Sequence, residues 1–129
     1  MKRFLLVLIA TVCIISASAL SFRATKFSTR HFTSSGWANW ESTTSDVFIS
    51  LSDDVFIMYS VKPQLYVLTN STNPYIDSDG DHILKFTFTD QDGDQGILDV
   101  IYRVRGKLWQ IYIRYDFIEW VYDVVPINE

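Results

Sequence analysis

Residues 83–124 read ILKFTFTDQDGDQGILDVIYRVRGKLWQIYIRYDFIEWVYDV, and their alternation decides the fold. Leu84, Phe86 and Phe88 alternate with Lys85, Thr87 and Thr89, the period of a strand with one buried face. Leu98, Val100, Tyr102 and Val104 then alternate with Asp99, Ile101 and Arg103. Trp109, Ile111, Ile113 and Tyr115 share one side of the third run, and Trp120, Tyr122 and Val124 one side of the fourth. Four antiparallel strands in a meander follow, with one apolar face across all of them.

The turns suggest a register. A loop centred on Asp92-Gly93-Asp94 sets Phe88 opposite Leu98 and Phe86 opposite Val100, and it suits a three-residue hairpin with a glycine bulge. A Gly106-Lys107 turn of type II′ sets Val104 opposite Trp109 and Tyr102 opposite Ile111. A four-residue loop at 116–119 sets Tyr115 opposite Trp120. In this register Asp99 faces Arg114 as a cross-strand charge pair. A slip of one residue would turn the apolar face to water, so the pairing should be well specified.

The rest of the chain continues in the same style. Residues 20–33, with Phe22, Phe27 and Phe32, read as an edge strand, and Thr33-Ser34-Ser35-Gly36 as a turn. A short strand from Trp37 ends near Thr44. Val47, Ile49 and Leu51 lead to a turn at Asp53-Asp54 and a return strand to Ser60. A two-residue loop there puts Phe56 and Met58 inward, and a three-residue loop puts Val55, Ile57 and Tyr59 inward. Residues 64–69 form a strand, and 70–81 a polar loop. About eight strands joined by short turns, with no helical periodicity, give an all-β antiparallel domain. It is a small up-and-down barrel or a two-sheet sandwich, and the sequential hairpins favour the barrel.

Met1-Lys2-Arg3 precedes an apolar run from Phe4 to Ile15 and the small residues Ser16 to Ala19. A basic start, a short apolar stretch and small residues at Ala17 and Ala19 are the marks of a secretory signal peptide over residues 1–19. The run is too short to span a bilayer. Residues 20–129 are then one exported domain, periplasmic or extracellular, with no membrane insertion. The lone Cys13 lies in the leader, where lipidation is the alternative to removal. Without it the domain has no disulfide, thiol nucleophile or thiolate metal site. Cleavage removes Lys2 and Arg3 but none of the fifteen Asp and Glu, so nine basic residues remain and the formal charge is −6. That balance argues against nucleic acid as a partner.

Two constellations invite chemistry. Asp77, Asp79 and Asp81, and Asp90, Asp92 and Asp94, form two D-x-D-G-D segments of oxygen ligands suited to calcium. Both fail the EF-hand spacing, and Asp-Gly turn chemistry at acidic, solvated loop tips is the favoured reading, with calcium as the alternative. They flank a strand of about eight residues, so they lie roughly 25 Å apart and cannot share an ion. Trp37 and Trp40 follow a glycine turn, where exposed rings would stack on a sugar or fill a peptide pocket. His31 and His82 have no partner pattern for catalysis or metal. Glu41 and Glu119 are candidates for a carboxylate pair only if the fold brings them together.

The leader, the Gly36-Trp37-Ala38-Asn39-Trp40-Glu41 stretch, the strand-turn-strand of 46–60 and the Phe88–Asp94 turn resemble short exported β-proteins of Bacteroides-type gut bacteria and their phages. The resemblance implies an exported setting and no particular activity. The Trp-rich start and the meander also resemble the lipocalin-like class in a general way. Gly36 is followed directly by Trp37, so the Gly-x-Trp signature of that class is missing and its ligand binding is not carried over. The expected function is a non-enzymatic exported domain that binds a protein, a glycan or a small apolar ligand. Its alternatives are a calcium-stabilised structural module and a small carboxylate-dependent hydrolase. An open edge at 20–33 or 119–124 would also permit a homodimer.

Overall fold

Alternation at period two runs through nearly every segment, and it is satisfied by one closed sheet. The computed structural model describes residues 20–127; the expected signal peptide and Cys13 lie outside them. The strands are β1 (Leu20–Thr33), β2 (Gly36–Trp37), β3 (Glu41–Leu51), β4 (Val55–Tyr59), β5 (Gln64–Ser71), β6 (Tyr75–Ile76), β7 (His82–Asp90), β8 (Gln95–Arg103), β9 (Leu108–Arg114) and β10 (Ile118–Pro126). Eight of them form an antiparallel up-and-down barrel in the order β1-β3-β4-β5-β7-β8-β9-β10, and β10 pairs back onto β1. The short β2 and β6 hang on β1 and β7.

The two strands expected to leave open edges therefore close the barrel on each other, from Phe22 opposite Pro126 to His31 opposite Ile118. Over that span neither strand leaves an open edge. The strand expected to start at Trp37 and end near Thr44 is also different: Trp37 belongs to the short β2, and β3 runs unbroken from Glu41 to Leu51, its first half pairing with the second half of β1. A bulge at Thr25 is shared by both neighbours of β1. The extra residue lets Ala24 and Phe27 both face inward along one strand.

The interior is a packed core rather than a channel, as eight strands require. Phe56, Ile49, Leu98, Val100, Ile111 and Ile113 are fully buried in it, with Phe88 and Met58 almost so. Each such side chain contributes about 1.5–3 kcal/mol of burial free energy. Phe88 meets Tyr66 and Tyr115 edge-on, with centroids 5.0 and 5.5 Å away. At Asp53-Asp54 the loop has two residues: Leu51 pairs with Phe56, and Phe56 and Met58 point inward.

In the meander the faces are as expected except at Val104, which lies exposed in the turn after β8 rather than inward, but every register is displaced by two residues. Phe86, not Phe88, lies opposite Leu98; Tyr102 lies opposite Trp109; Ile113 lies opposite Trp120. The causes are local. The first turn is centred on Asp92, closed by Asp90 and Asp94, and it sets Phe88 opposite Gly96. A Cβ at Gly96 would stand 2.5 Å from the Phe88 ring, so the ring occupies the space that a side chain would need. In the second turn the positive φ falls on Lys107 (51°) rather than Gly106, and four residues separate Arg103 from Leu108. The third turn holds only Asp116 and Phe117, since the Tyr115 N–H donates to the Ile118 carbonyl. Asp99 consequently faces Tyr112 and meets Arg114 diagonally, at 2.8 Å.

The outer wall of β7 to β10 and β1 carries a chain of ion pairs. Lys85 and Arg114 donate to Asp99, and Arg114 and Arg30 donate to Glu119. Asp99 and Glu119 are buried beneath these longer side chains.

Candidate functional site

The turns between β7 and β8 and between β9 and β10 open at the same end of the barrel. Between them lies a cleft of about 440 Å³, lined by Asp90, Asp94 and Gln95 from the first and by Tyr115, Asp116, Phe117, Ile118 and Trp120 from the second. Phe117 stands out at the tip of its two-residue turn, 71% exposed. Tyr115 and Trp120 meet edge-on at 5.7 Å and face the barrel interior, where they pack against the core. Thr29 lies opposite Trp120 in register, and its Oγ1 is buried with no hydrogen-bond partner among the described residues.

Asp90 is fixed from three directions. Its Oδ1 accepts the N–H groups of Asp92 and Asp94, and its Oδ2 accepts the Tyr115 hydroxyl at 2.7 Å. Desolvation pushes its carboxyl up, but the Tyr115 hydroxyl and the backbone donors outweigh this and hold it below the usual carboxylate range. Burial and the neighbouring carboxylate push the Tyr115 phenol up, so it stays protonated as the donor. Tyr66, deeper in the same end, is likewise raised, chiefly by burial. Among the described residues the Asp94 and Asp116 side chains make no hydrogen bond or ion pair.

The six aspartates prove to be one turn used twice. In each, the first Asp caps the third and fifth residues through its Oδ1 (Asp79 and Asp81 on Asp77, Asp92 and Asp94 on Asp90). In each, the first residue's N–H donates to the fifth carbonyl, and the glycine adopts φ near +85°. The D-x-D-G-D spacing is thus explained by Asx-turn bonding with glycine in the left-handed region. Ligand oxygens of Asp77, Asp79 and Asp81 come within 4.8 Å of one another. Asp81, however, is buried and already accepts from the Val104 N–H and from Arg103. The fold brings Asp90 and Asp94 of the second triplet to the cleft, where the Asp90 carboxylate is committed and that of Asp94 accepts no hydrogen bond among the described residues.

Trp37 and Trp40 sit at the same end, on the outside. Their rings lie over the Arg30 guanidinium at 4.6 and 4.7 Å, and Trp40 also touches Tyr112 at 6.4 Å. Arg30 is itself bonded through Nε and Nη2 to Glu119. The pair therefore braces the ion-pair wall, with each ring a little over a third exposed. Glu41 and Glu119 are not brought together: Glu119 is buried on the outer wall, and Glu41 is exposed opposite Thr29, on the inner side. His31 is exposed at the end of β1, and His82 packs near Tyr102 at 6.2 Å.

Sequence reasoning missed the cleft. Asp90 and Asp94 were visible as a turn, but Tyr115 and Trp120 read as core and Asp116-Phe117 as plain loop. Their meeting depends on the length of the β9–β10 turn and on closure of the barrel. No protein-family model, curated protein or solved structure matches this chain.

Proposed function

We propose that the protein is an exported, non-enzymatic β-barrel that binds a ligand in the cleft at its mouth. The ligand is a small molecule or the exposed end of a larger protein or glycan. The carrying observation is the cleft itself: about 440 Å³ falls within the usual range for ligand sites, and its walls combine aromatic rings with a few carboxylates. The mouth of a small barrel whose interior is filled is also where such a ligand has room. Export rests on the leader-like residues 1–19 and on the resemblance to short exported β-proteins of gut bacteria.

Hydrolysis by paired carboxylates is the second reading, because Asp90, Asp94 and Asp116 share the cleft. It requires one carboxyl kept protonated near neutral pH as a general acid. Asp90 is shifted the other way, so it is unsuited to the role of that acid.

Backbone amide NMR shifts, followed during titration with an oligosaccharide, a short peptide and an apolar dye, test the site. The expected result is a saturable set of shifts at residues 90–95 and 115–120 with at least one class. No saturable shift from any class, or shifts centred on Trp37 and Trp40, would end the proposal.

A further inference from the structure

We infer that the mouth cleft is a receptor for an organic cation, an alkylammonium or guanidinium group carried on an apolar stem. This rests on the cleft being the binding site, and it names the chemistry of the ligand.

Charge and shape agree on it. Three of the lining residues are aspartates and none is Lys, Arg or His. Arg114, beside Tyr115 in the chain, and Arg30 are turned to the outer wall and ion-paired to Glu119 and Asp99, and His31, opposite Ile118 in register, is not among the lining residues. A cleft lined by one sign of charge on a low-dielectric wall concentrates its field and attracts the opposite ion. Asp90 stays ionised because Tyr115 and the turn amides stabilise its charged form. Asp94 and Asp116, one on each turn, keep their acceptor oxygens uncommitted.

The remaining walls are rings. Trp120 and Tyr115 on one side and Phe117 at the lip offer faces over which a cation is held and against which methylenes pack. A neutral sugar would find stacking surfaces but would leave two carboxylates desolvated without a counter-charge. An anion would meet only repulsion. The volume, about 440 Å³, suits an amine of drug-like size rather than a bare metal ion.

Calorimetry on the full exported chain tests this, with three probes: spermidine, Nα-acetyl-lysine amide and maltotriose. Spermidine or the lysine amide should bind saturably, and binding should weaken with added salt. Stronger binding of spermidine identifies a free amine as the source, and stronger binding of the lysine amide a basic side chain of a partner. The Asp94→Asn/Asp116→Asn double variant should bind at least about tenfold more weakly, the equivalent of about 1.4 kcal/mol. The Asp53→Asn/Asp54→Asn control removes the same charge at the opposite end of the barrel, and its affinity should stay within about twofold, well under that 1.4 kcal/mol. Equal loss in both variants means diffuse attraction to an acidic protein and overturns the inference. Maltotriose binding in place of the amines also overturns it, while leaving the cleft as the site. If no ligand class reaches the cleft, the inference falls together with the proposed function.

Discussion

Replacing Gly96 by alanine tests the register of the barrel at its tightest point. Its new methyl would meet the Phe88 Cζ at 2.5 Å, Cε2 at 3.0 Å and the Arg114 carbonyl oxygen at 2.6 Å. The carbonyl belongs to the β8–β9 pairing and the ring is buried between Tyr66 and Tyr115, so neither moves freely. Gly96 does not use the left-handed region, so alanine brings no backbone strain there. It should even recover up to about 1 kcal/mol by stiffening the unfolded chain. Overpacking in a dense core costs about 1–3 kcal/mol, at the upper end when backbone must shift. The net loss should be about 1–2 kcal/mol, or roughly 5–10 °C in Tm. Urea denaturation followed by circular dichroism reads it directly. In a Phe88→Leu background the same change should cost less, because half of the clash is gone. A Gly96→Ala variant as stable as the parent, or more so, would refute the pairing of Gly96 with Phe88 and with it the two-residue displacement.

Other outcomes follow from the side-chain network. Glu119→Ala leaves Arg30 and Arg114 half-buried without their shared carboxylate; after allowance for their partial exposure it should cost about 2 kcal/mol in chemical denaturation. Trp37→Ala removes one face of the Arg30 stack and should cost about 0.5–1 kcal/mol while leaving cleft ligand shifts unchanged. Asp90 has a lowered carboxyl in the folded protein. Its contribution is therefore present above the unfolded value, near 3.9, and is lost as pH falls through the folded one. The stability gap between the parent and Asp90→Asn should be widest at neutral pH and close below about pH 4. Because Asp77 and Asp81 already spend oxygens on the turn, Val104 and Arg103, millimolar calcium and excess chelator should give melting temperatures within about 1 °C. A larger rise with calcium would revive the structural-ion alternative.

Fold class was legible because burial leaves a parity mark. Phe86, Leu98, Val100, Ile111 and Ile113 had to share a face, and they do. Alternation is blind to displacement by two residues, which preserves every face, so loop length decided the registers. That length depended on details such as the φ of Lys107 and the Asx bonds of Asp90. Likewise Asp53-Asp54 permitted two loops until Phe56 and Met58 were seen inside. The site was less legible than the fold. Trp37 and Trp40 looked like free rings because Arg30, seven and ten residues earlier, meets them only when the chain folds over the outer wall. The cleft joins two turns more than twenty residues apart, and no local pattern marks that meeting.

The most direct test of a ligand site at the barrel mouth is a crystal structure of the protein with the strongest-binding amine. The account predicts density for the cation between Asp94 and Asp116, with its stem against Trp120 and Phe117. Density over Trp37 and Trp40, on the Asp77–Asp81 turn, or nowhere on the molecule would contradict it.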